Sequence, residues 1–257
     1  MPFDRDNGSR RVMPASGTST GREVDSLACE TSTDVVVLDF DGTILDSMPF
    51  LTDLAASLLA SRYGMGREDA RRAYVETTGL PFEKQIEIIA PADARNQSTV
   101  KAFEEGKRRR MMRFELFPDV VPAVRELRQN GIRVCVSSGN YEELINRFLH
   151  VRGLEVDLVM GYRPGFEKGR DHFEFAGRTL GCSFDRMVFV GDSRRDWLSA
   201  DTLGIRFIAR AGLHTARELQ ALLPGVPVID SLDQALPILG IRKAPEDSGA
   251  GTSSKTS

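Results

Sequence analysis

The chain is poor in the features that mark several large classes of protein. Its three cysteines, Cys29, Cys135 and Cys182, share no Cys-x-x-Cys spacing. That argues against a disulfide framework or a thiolate metal site and fits reduced thiols in a cytoplasmic protein. No apolar run approaches the length of a membrane-spanning helix. A formal net charge of −3 provides no general attraction to nucleic acid or to an acidic membrane surface. His150, His172 and His214 are scattered without ligand spacing and read as structural or surface residues. The first 33 residues lack the apolar core of a secretory signal, and Asp4, Asp6, Glu23, Asp25 and Glu30 count against a transit peptide.

What remains is an ordinary globular composition, 41% hydrophobic and 28% charged over 257 residues, with room for one α/β domain and a modest insertion. Residues 1–33 and 243–257 are rich in small polar residues without apolar periodicity and are expected to be disordered arms.

The chain is organised around Val35–Ser47, reading VVVLDFDGTILDS. Val35, Val36, Val37 and Leu38 run without alternation, as does a strand buried on both faces of a parallel sheet. Asp39 ends the run and Asp41 follows, so a period of two puts both carboxylates on one side at the strand's carboxyl end. Gly42 permits a sharp turn. Paired acids in such a place repel, and a divalent cation is the usual remedy. An Asp-Gly hairpin would need a second alternating strand, whereas the sequence from Pro49 is helical in pattern. An EF-hand loop counted from Asp39 would place Ile44 and Phe50 where Gly and Glu belong.

Residues 49–115 carry helical patterns only: one helix with Leu51, Leu54, Leu58 and Leu59, a second over 67–77, a third beginning near Pro81 and a fourth over 98–115. This all-helical block interrupts an α/β alternation and is expected to form a cap over a core made of 34–48 and 116–242. The alternation resumes with a helix ending at Gly131. Strands 132–136, 157–162, 187–190 and 206–209 follow, separated by helices, with a short segment at 227–229. Strands alternating with helices imply right-handed crossovers, a parallel sheet and ligands beyond its carboxyl ends. The expected fold class is therefore α/β, a Rossmann-like parallel sheet with an inserted helical cap.

Polar residues stand at several of these ends: Asp39 and Asp41, then Ser137, then the loop to Lys168, then Asp192 and Asp196. Acids gathered there imply a hard cation with oxygen ligands, magnesium most naturally. Asp196 could alternatively cap the helix that follows. The set DFDGTILDS, VCVSS, Lys168 and GDSRRD resembles the haloacid dehalogenase superfamily, in its phosphoglycolate-phosphatase and phosphomutase-like branch. The likeness runs from Val35 to Leu239, with the helical insert where that branch carries its cap. The Lys168 context, EKGRDHF, departs from the Lys-Pro common in the branch.

The resemblance implies Asp39 as nucleophile and Asp41 as general acid and then base. It implies Mg2+ held by Asp39, the Asp41 backbone carbonyl and Asp192, with Asp196 acting through water or orienting the site. Ser137 and Lys168 would bind the phosphoryl oxygens. Strand alternation alone permits either Ser137 or the neighbouring Ser138, and Ser137 is taken as first after the apolar run. Thr43 would fix the turn and Asp46 the passage to the cap, while Gly139, Thr78 and Gly79 join Ser138 and Thr43 as candidate substrate contacts. The segment Thr77–Phe82 resembles the specificity loop of the branch. Phe82 stands about where mutases carry a basic residue, with Lys84 nearby, which leans towards a phosphatase.

The expected activity is Mg2+-dependent hydrolysis of a small phosphorylated metabolite, with a phosphomutase or a catalytically idle binding protein as alternatives. Asp41 disfavours the dehalogenase and phosphonatase readings. Lys107-Arg108-Arg109-Arg110 reads as a solvated helix face and Trp197 as a packing residue. The sequence does not specify an oligomeric state.

Overall fold

The computed structural model describes residues 32–241. Nearly all of the expected arms, 1–33 and 243–257, lie outside the described residues. Ser32 and Thr33 are inside and are held by Arg186 and Arg206.

Strand β1 (Val35–Asp39) is buried throughout. Helices α1 (Met48–Tyr63), α2 (Arg67–Glu76), α3 (Phe82–Ile89) and α4 (Asn96–Met111) follow without an intervening strand. Pro81 sits at the N-cap of α3, just outside the first turn that was expected to hold it. The rest of the chain alternates: α5 (Val120–Gln129), β2 (Arg133–Tyr141), α6 (Glu142–Arg152), β3 (Leu158–Tyr162), α7 (Arg170–Leu180), β4 (Met187–Gly191), α8 (Arg194–Asp201), β5 (Arg206–Arg210), α9 (Ala216–Leu222), β6 (Val228–Ile229) and α10 (Ala235–Ile238).

The strands form one parallel sheet in the order β3-β2-β1-β4-β5-β6. The order reverses beside β1, so the crevice at its carboxyl end lies between crossovers leaving on opposite faces. Period-two burial divides β1 between two cores. Val36 and Leu38 pack with α5 and α6, whereas Val35 and Val37 pack with α7, α8 and α9. Strand β2 runs past its expected end at residue 136, because Tyr141 still pairs with Tyr162 beyond an irregularity after Ser137.

Helices α1–α4 have their own apolar centre, where Phe82 stacks on Phe103 at 4.0 Å and Tyr74 tilts against both. The chain enters and leaves this block side by side: the Asp46 amide donates to the Glu115 carbonyl at 3.1 Å, and the Phe117 amide to the Ile44 carbonyl at 3.1 Å. The exit is clamped to the sheet by buried Arg210, which makes two hydrogen bonds to Asp119 and lies 4.2 Å from the Phe117 ring centroid. Among the described residues no helix is long and apolar enough to cross a membrane.

Candidate active site

The carboxyl ends of β1 and β4 bring together residues far apart in sequence. Asp39 closes β1, level with Ser137 on β2. Asp192 follows β4 directly, and Asp196 lies in the first turn of α8. The N-cap of that helix is Ser193, not Asp196. Ser193 Oγ accepts from the Asp196 amide at 3.1 Å and donates to its carboxylate at 2.6 Å. Capping by Ser193 leaves the second Asp196 oxygen free to face the site.

One carboxylate oxygen each of Asp39, Asp192 and Asp196 lies within 4.8 Å of the others, and all three residues are buried. Lys168, from the loop before α7, pairs with Asp39 and with Asp196 at 2.6 Å. That single cation does not balance three acids. Burial, reinforced by Asp196 against the opposing pull of Lys168, raises the pKa of Asp39 to about 7. Burial followed by the charges of Asp39 and Asp196 pushes Asp192 well above the usual carboxylate range. The Oδ2 atom of Asp192 is buried without a hydrogen-bond partner among the described residues. Gly42, at φ +82°, passes so close to that carboxylate that a Cβ would strike it, so only glycine fits the turn.

Asp41 behaves differently. Beyond Asp39 the strand gives way to a turn in which the Ile44 and Leu45 amides both bond the Phe40 carbonyl. The expected alternation lapses there, and the two carboxylates take separate partners. Asp41 Oδ1 accepts from Ser47 at 2.7 Å, and Oδ2 accepts from Asn140 at 2.8 Å and from Lys107 of α4 at 2.7 Å. Burial raises the Asp41 pKa, but the Lys107 charge and the hydrogen bonds from Lys107, Ser47 and Asn140 outweigh it and hold the carboxyl below its usual range.

The neighbouring serines also part. Ser137 is fully buried, with its hydroxyl 2.9 Å from His172 Nδ1. Ser138 Oγ accepts from the Asn140 amide at 3.1 Å and from its side chain at 2.9 Å, which occupies both lone pairs and leaves the hydroxyl proton to donate. Gly139 is exposed beside them. Thr43 Oγ1 lies 3.5 Å from Asp39 Oδ2, inside the turn. Asp46 is exposed, and its amide joins the linker pair described above.

From the helical block, Gly79 lies against the core: a Cβ there would fall 2.5 Å from Ser193 Oγ and from Arg195 Cβ. Thr78 instead bonds back to the Val75 carbonyl at 2.7 Å. Phe82 is buried inside the block and is not a contact at the site, and Lys84 reaches Glu167 at 3.4 Å.

Lys107, Asn140 and Ser47 were not among the residues singled out from sequence. Ser47 closes the DFDGTILDS stretch and Asn140 follows the serine pair by two places, so their positions carried a signal. Lys107 carried one that pointed elsewhere, since the run was expected to be solvated; Arg108, Arg109 and Arg110 are exposed, and Lys107 turns inward.

Residues 36–210 match the family described as haloacid dehalogenase-like hydrolase. The chain is 27% identical over 218 residues to phosphoglycolate phosphatase 1 of Pseudomonas aeruginosa, covering 79% of this chain and 78% of that one. It is 24% identical over 201 residues to a phosphoglycolate phosphatase of Synechococcus elongatus, covering 74% and 89%. A solved haloacid dehalogenase-like family hydrolase from Streptococcus pneumoniae shares the fold at a TM-score of 0.67 and 18% identity, covering 81% of this chain and 99% of that one.

Proposed function

The chain belongs to the haloacid dehalogenase-like hydrolase family, and from that premise we propose that it is a Mg2+-dependent phosphatase acting on a small organic phosphomonoester through a phosphorylated Asp39. The observation that carries this reading is the grouping of Asp39, Asp192 and Asp196 within 4.8 Å, with Lys168 against two of them. An all-oxygen donor set suits magnesium better than a softer metal. The unpartnered Asp192 oxygen and the raised pKa values of Asp39 and Asp192 mark negative charge that the protein alone leaves uncompensated.

In this reading Asp39, Asp192 and the Asp41 backbone carbonyl hold the ion, and Asp196 orients Lys168. When bound, the ion offsets the carboxylate charge and polarises the phosphoryl group. A carboxylate oxygen of Asp39 attacks phosphorus in line as the bond to the ester oxygen breaks. Asp41, ionised at rest beside Lys107, takes up a proton from solvent before the step and gives it to that oxygen, so the alcohol departs neutral. The ionised Asp41 then takes a proton from water, whose oxygen attacks the same phosphorus. Breaking the bond to Asp39 returns the carboxylate and releases inorganic phosphate. Lys168 and Ser137, which stands level with Asp39, bind the phosphoryl oxygens, and the Ser138 proton is free to join them.

The test is phosphate release from an aryl phosphate and a panel of metabolite phosphates that includes phosphoglycolate. Turnover is expected with Mg2+, lost on chelation and lost in Asp39→Asn. An absence of turnover across the panel overturns the reading.

A further inference from the structure

A buried histidine stands beside the serine at the end of β2. His172 lies in the first turn of α7, four residues after Lys168. Lys168 reaches Asp39 and Asp196, while the His172 ring is fully buried with Nδ1 2.9 Å from Ser137 Oγ. The ring is held in place. Phe166 packs on it with centroids 4.5 Å apart, and Phe166 is held in turn by Phe175 and by the Arg163 guanidinium, 4.2 Å from its centroid. An apolar side chain could fill the same space without burying two polar nitrogens, so packing alone gives no reason for a histidine.

Its hydrogen bonds point to one. A neutral imidazole carries one N–H and one bare acceptor nitrogen. Burial and the Lys168 charge keep the ring neutral near pH 7, with its pKa lowered to about 4. Nε2 is buried without a hydrogen-bond partner among the described residues, and the nearby Gly161 carbonyl makes no hydrogen bond to it. A buried donor left unpaired is rarer than a buried acceptor left unpaired. That places the proton on Nδ1, where it is donated to Ser137 Oγ. The Ser137 hydroxyl proton then has no partner of its own among the described residues, and Ser137 stands level with Asp39 at the carboxyl end of the sheet.

We propose that His172 is a positioning residue for phosphoryl transfer: by donating from Nδ1 it fixes the Ser137 hydroxyl as a donor, its proton directed at the phosphoryl oxygens and not into the core. The ring touches no substrate atom and takes no proton in the reaction. A donor oriented beforehand needs no reorganisation as charge develops on the phosphoryl group. This deepens the phosphatase reading and rests on it.

The test compares two substitutions of nearly one shape, since Asn and Leu differ chiefly in the amide, which places an N–H where Nδ1 stands. His172→Leu is expected to lower kcat/KM for 4-nitrophenyl phosphate by about ten- to a hundredfold, less than the roughly 10²- to 10³-fold lost with a whole oxyanion donor. His172→Asn is expected to recover most of that loss. In a Ser137→Ala background, where the donor is already gone, His172→Leu is expected to have no further effect. Nitrogen NMR of the histidine rings in wild-type protein near pH 7 is expected to show His172 protonated on Nδ1 and bare on Nε2. Full activity in His172→Leu, equal losses in the Leu and Asn variants, or the same loss with and without Ser137 would mean that the ring only fills space. Each of these overturns the inference and leaves the phosphatase reading intact. A proton found on Nε2 overturns it on wild-type protein alone, whether or not the variants fold. No turnover by wild-type protein removes the phosphatase reading and this inference with it.

Discussion

The α/β core and the helical block each bring one lysine to one of two carboxylates two residues apart, with opposite electrostatic results. In the core, Lys168 is shared between Asp39 and Asp196, and Asp39 still rises to about 7. From the block, Lys107 pairs with Asp41, Ser47 and Asn140 add their hydrogen bonds, and Asp41 falls below its usual range. Desolvation leads the causes at both carboxylates, so it does not separate them. The number of acids sharing each cation does. The core side is short of positive charge in the way a site for a divalent ion must be, and the block side is balanced before any ligand arrives.

The largest expected effect breaks the comparison at its core end. Asp39→Asn should cost roughly 10⁴-fold or more in turnover, the scale seen when a covalent nucleophile is removed. It should also raise the melting temperature in the absence of Mg2+, because one poorly compensated buried charge goes with it. Asp41→Asn should lose roughly 10²- to 10⁴-fold, the usual share of a general acid, and should gain no stability, because it strips Lys107 of its counter-charge. Phosphate-release assays and thermal melts separate the two. Stabilisation of both variants alike would show that their surroundings do not differ as described.

The lysines sharpen the same contrast. Removing Lys168 leaves buried acids facing one another, so Lys168→Met should cost about 3–5 kcal/mol of stability, as breaking a buried ion pair does. Its turnover should fall by roughly 10²- to 10³-fold with the loss of a phosphoryl-binding donor. Lys107 and Asp41 are each 17% exposed, in contact with solvent at the edge of the site. Lys107→Met should therefore cost about 1 kcal/mol. Urea melts of the two variants, at one pH and without Mg2+, measure the gap. Equal costs would dissolve the distinction between a core pair and a boundary pair.

Much of the core half was legible because it is written in short-range pattern. The unbroken Val35–Leu38 run, the acids that end β1 and β4, and the helices between strands all follow from periodicity and burial. Parallel pairing and the convergence of the strand ends then follow from topology. The block half was legible as helices but not as a site. Four consecutive basic residues on a helix look alike in one dimension, and only the docking of α4 decides that Lys107 turns inward while Arg108–Arg110 do not. Phe82 was expected in the loop facing the substrate, but its apolar surface is better spent against Phe103. Ser137 and Ser138 lie on opposite faces of β2, and no pattern within the strand says which face carries the site. In the fold Ser137 lies beside His172, whereas Ser138 bonds Asn140.

Adding magnesium probes the charge shortage directly. Asp39 has a folded-state pKa raised from 3.8 to about 7. Its contribution to stability is therefore complete below pH 3.8 and is lost as the pH rises through 7 in the absence of a divalent ion. An ion that binds the deprotonated acids restores what is lost, so the stabilisation by Mg2+ should grow between pH 5 and pH 8. At a hundredfold excess over its dissociation constant it should reach about 3 kcal/mol. Thermal melts with Mg2+ and with chelator at both pH values give the comparison. A magnesium effect independent of pH would place the ion away from Asp39 and Asp192.

A further effect lies beneath the core site. His172 is fully buried, its pKa lowered to about 4 by burial first and by the Lys168 charge second, so the surplus of cation felt there is the counterpart of the shortage felt by the acids above it. The unfolded chain takes up that proton near pH 6.5 and the folded chain only near pH 4, so acid favours unfolding. The stability His172 contributes is present above pH 6.5 and is lost as the pH falls towards 4. Between pH 7 and pH 5 the loss should be about 2 kcal/mol. His172→Gln keeps a hydrogen-bonding partner for Ser137 but cannot titrate, so its stability should fall by about that much less than wild type over the same interval. Parallel slopes for the two proteins would mean that His172 is already charged beneath the site, and Lys168 would then have a second cation beside it and a weaker hold on Asp39.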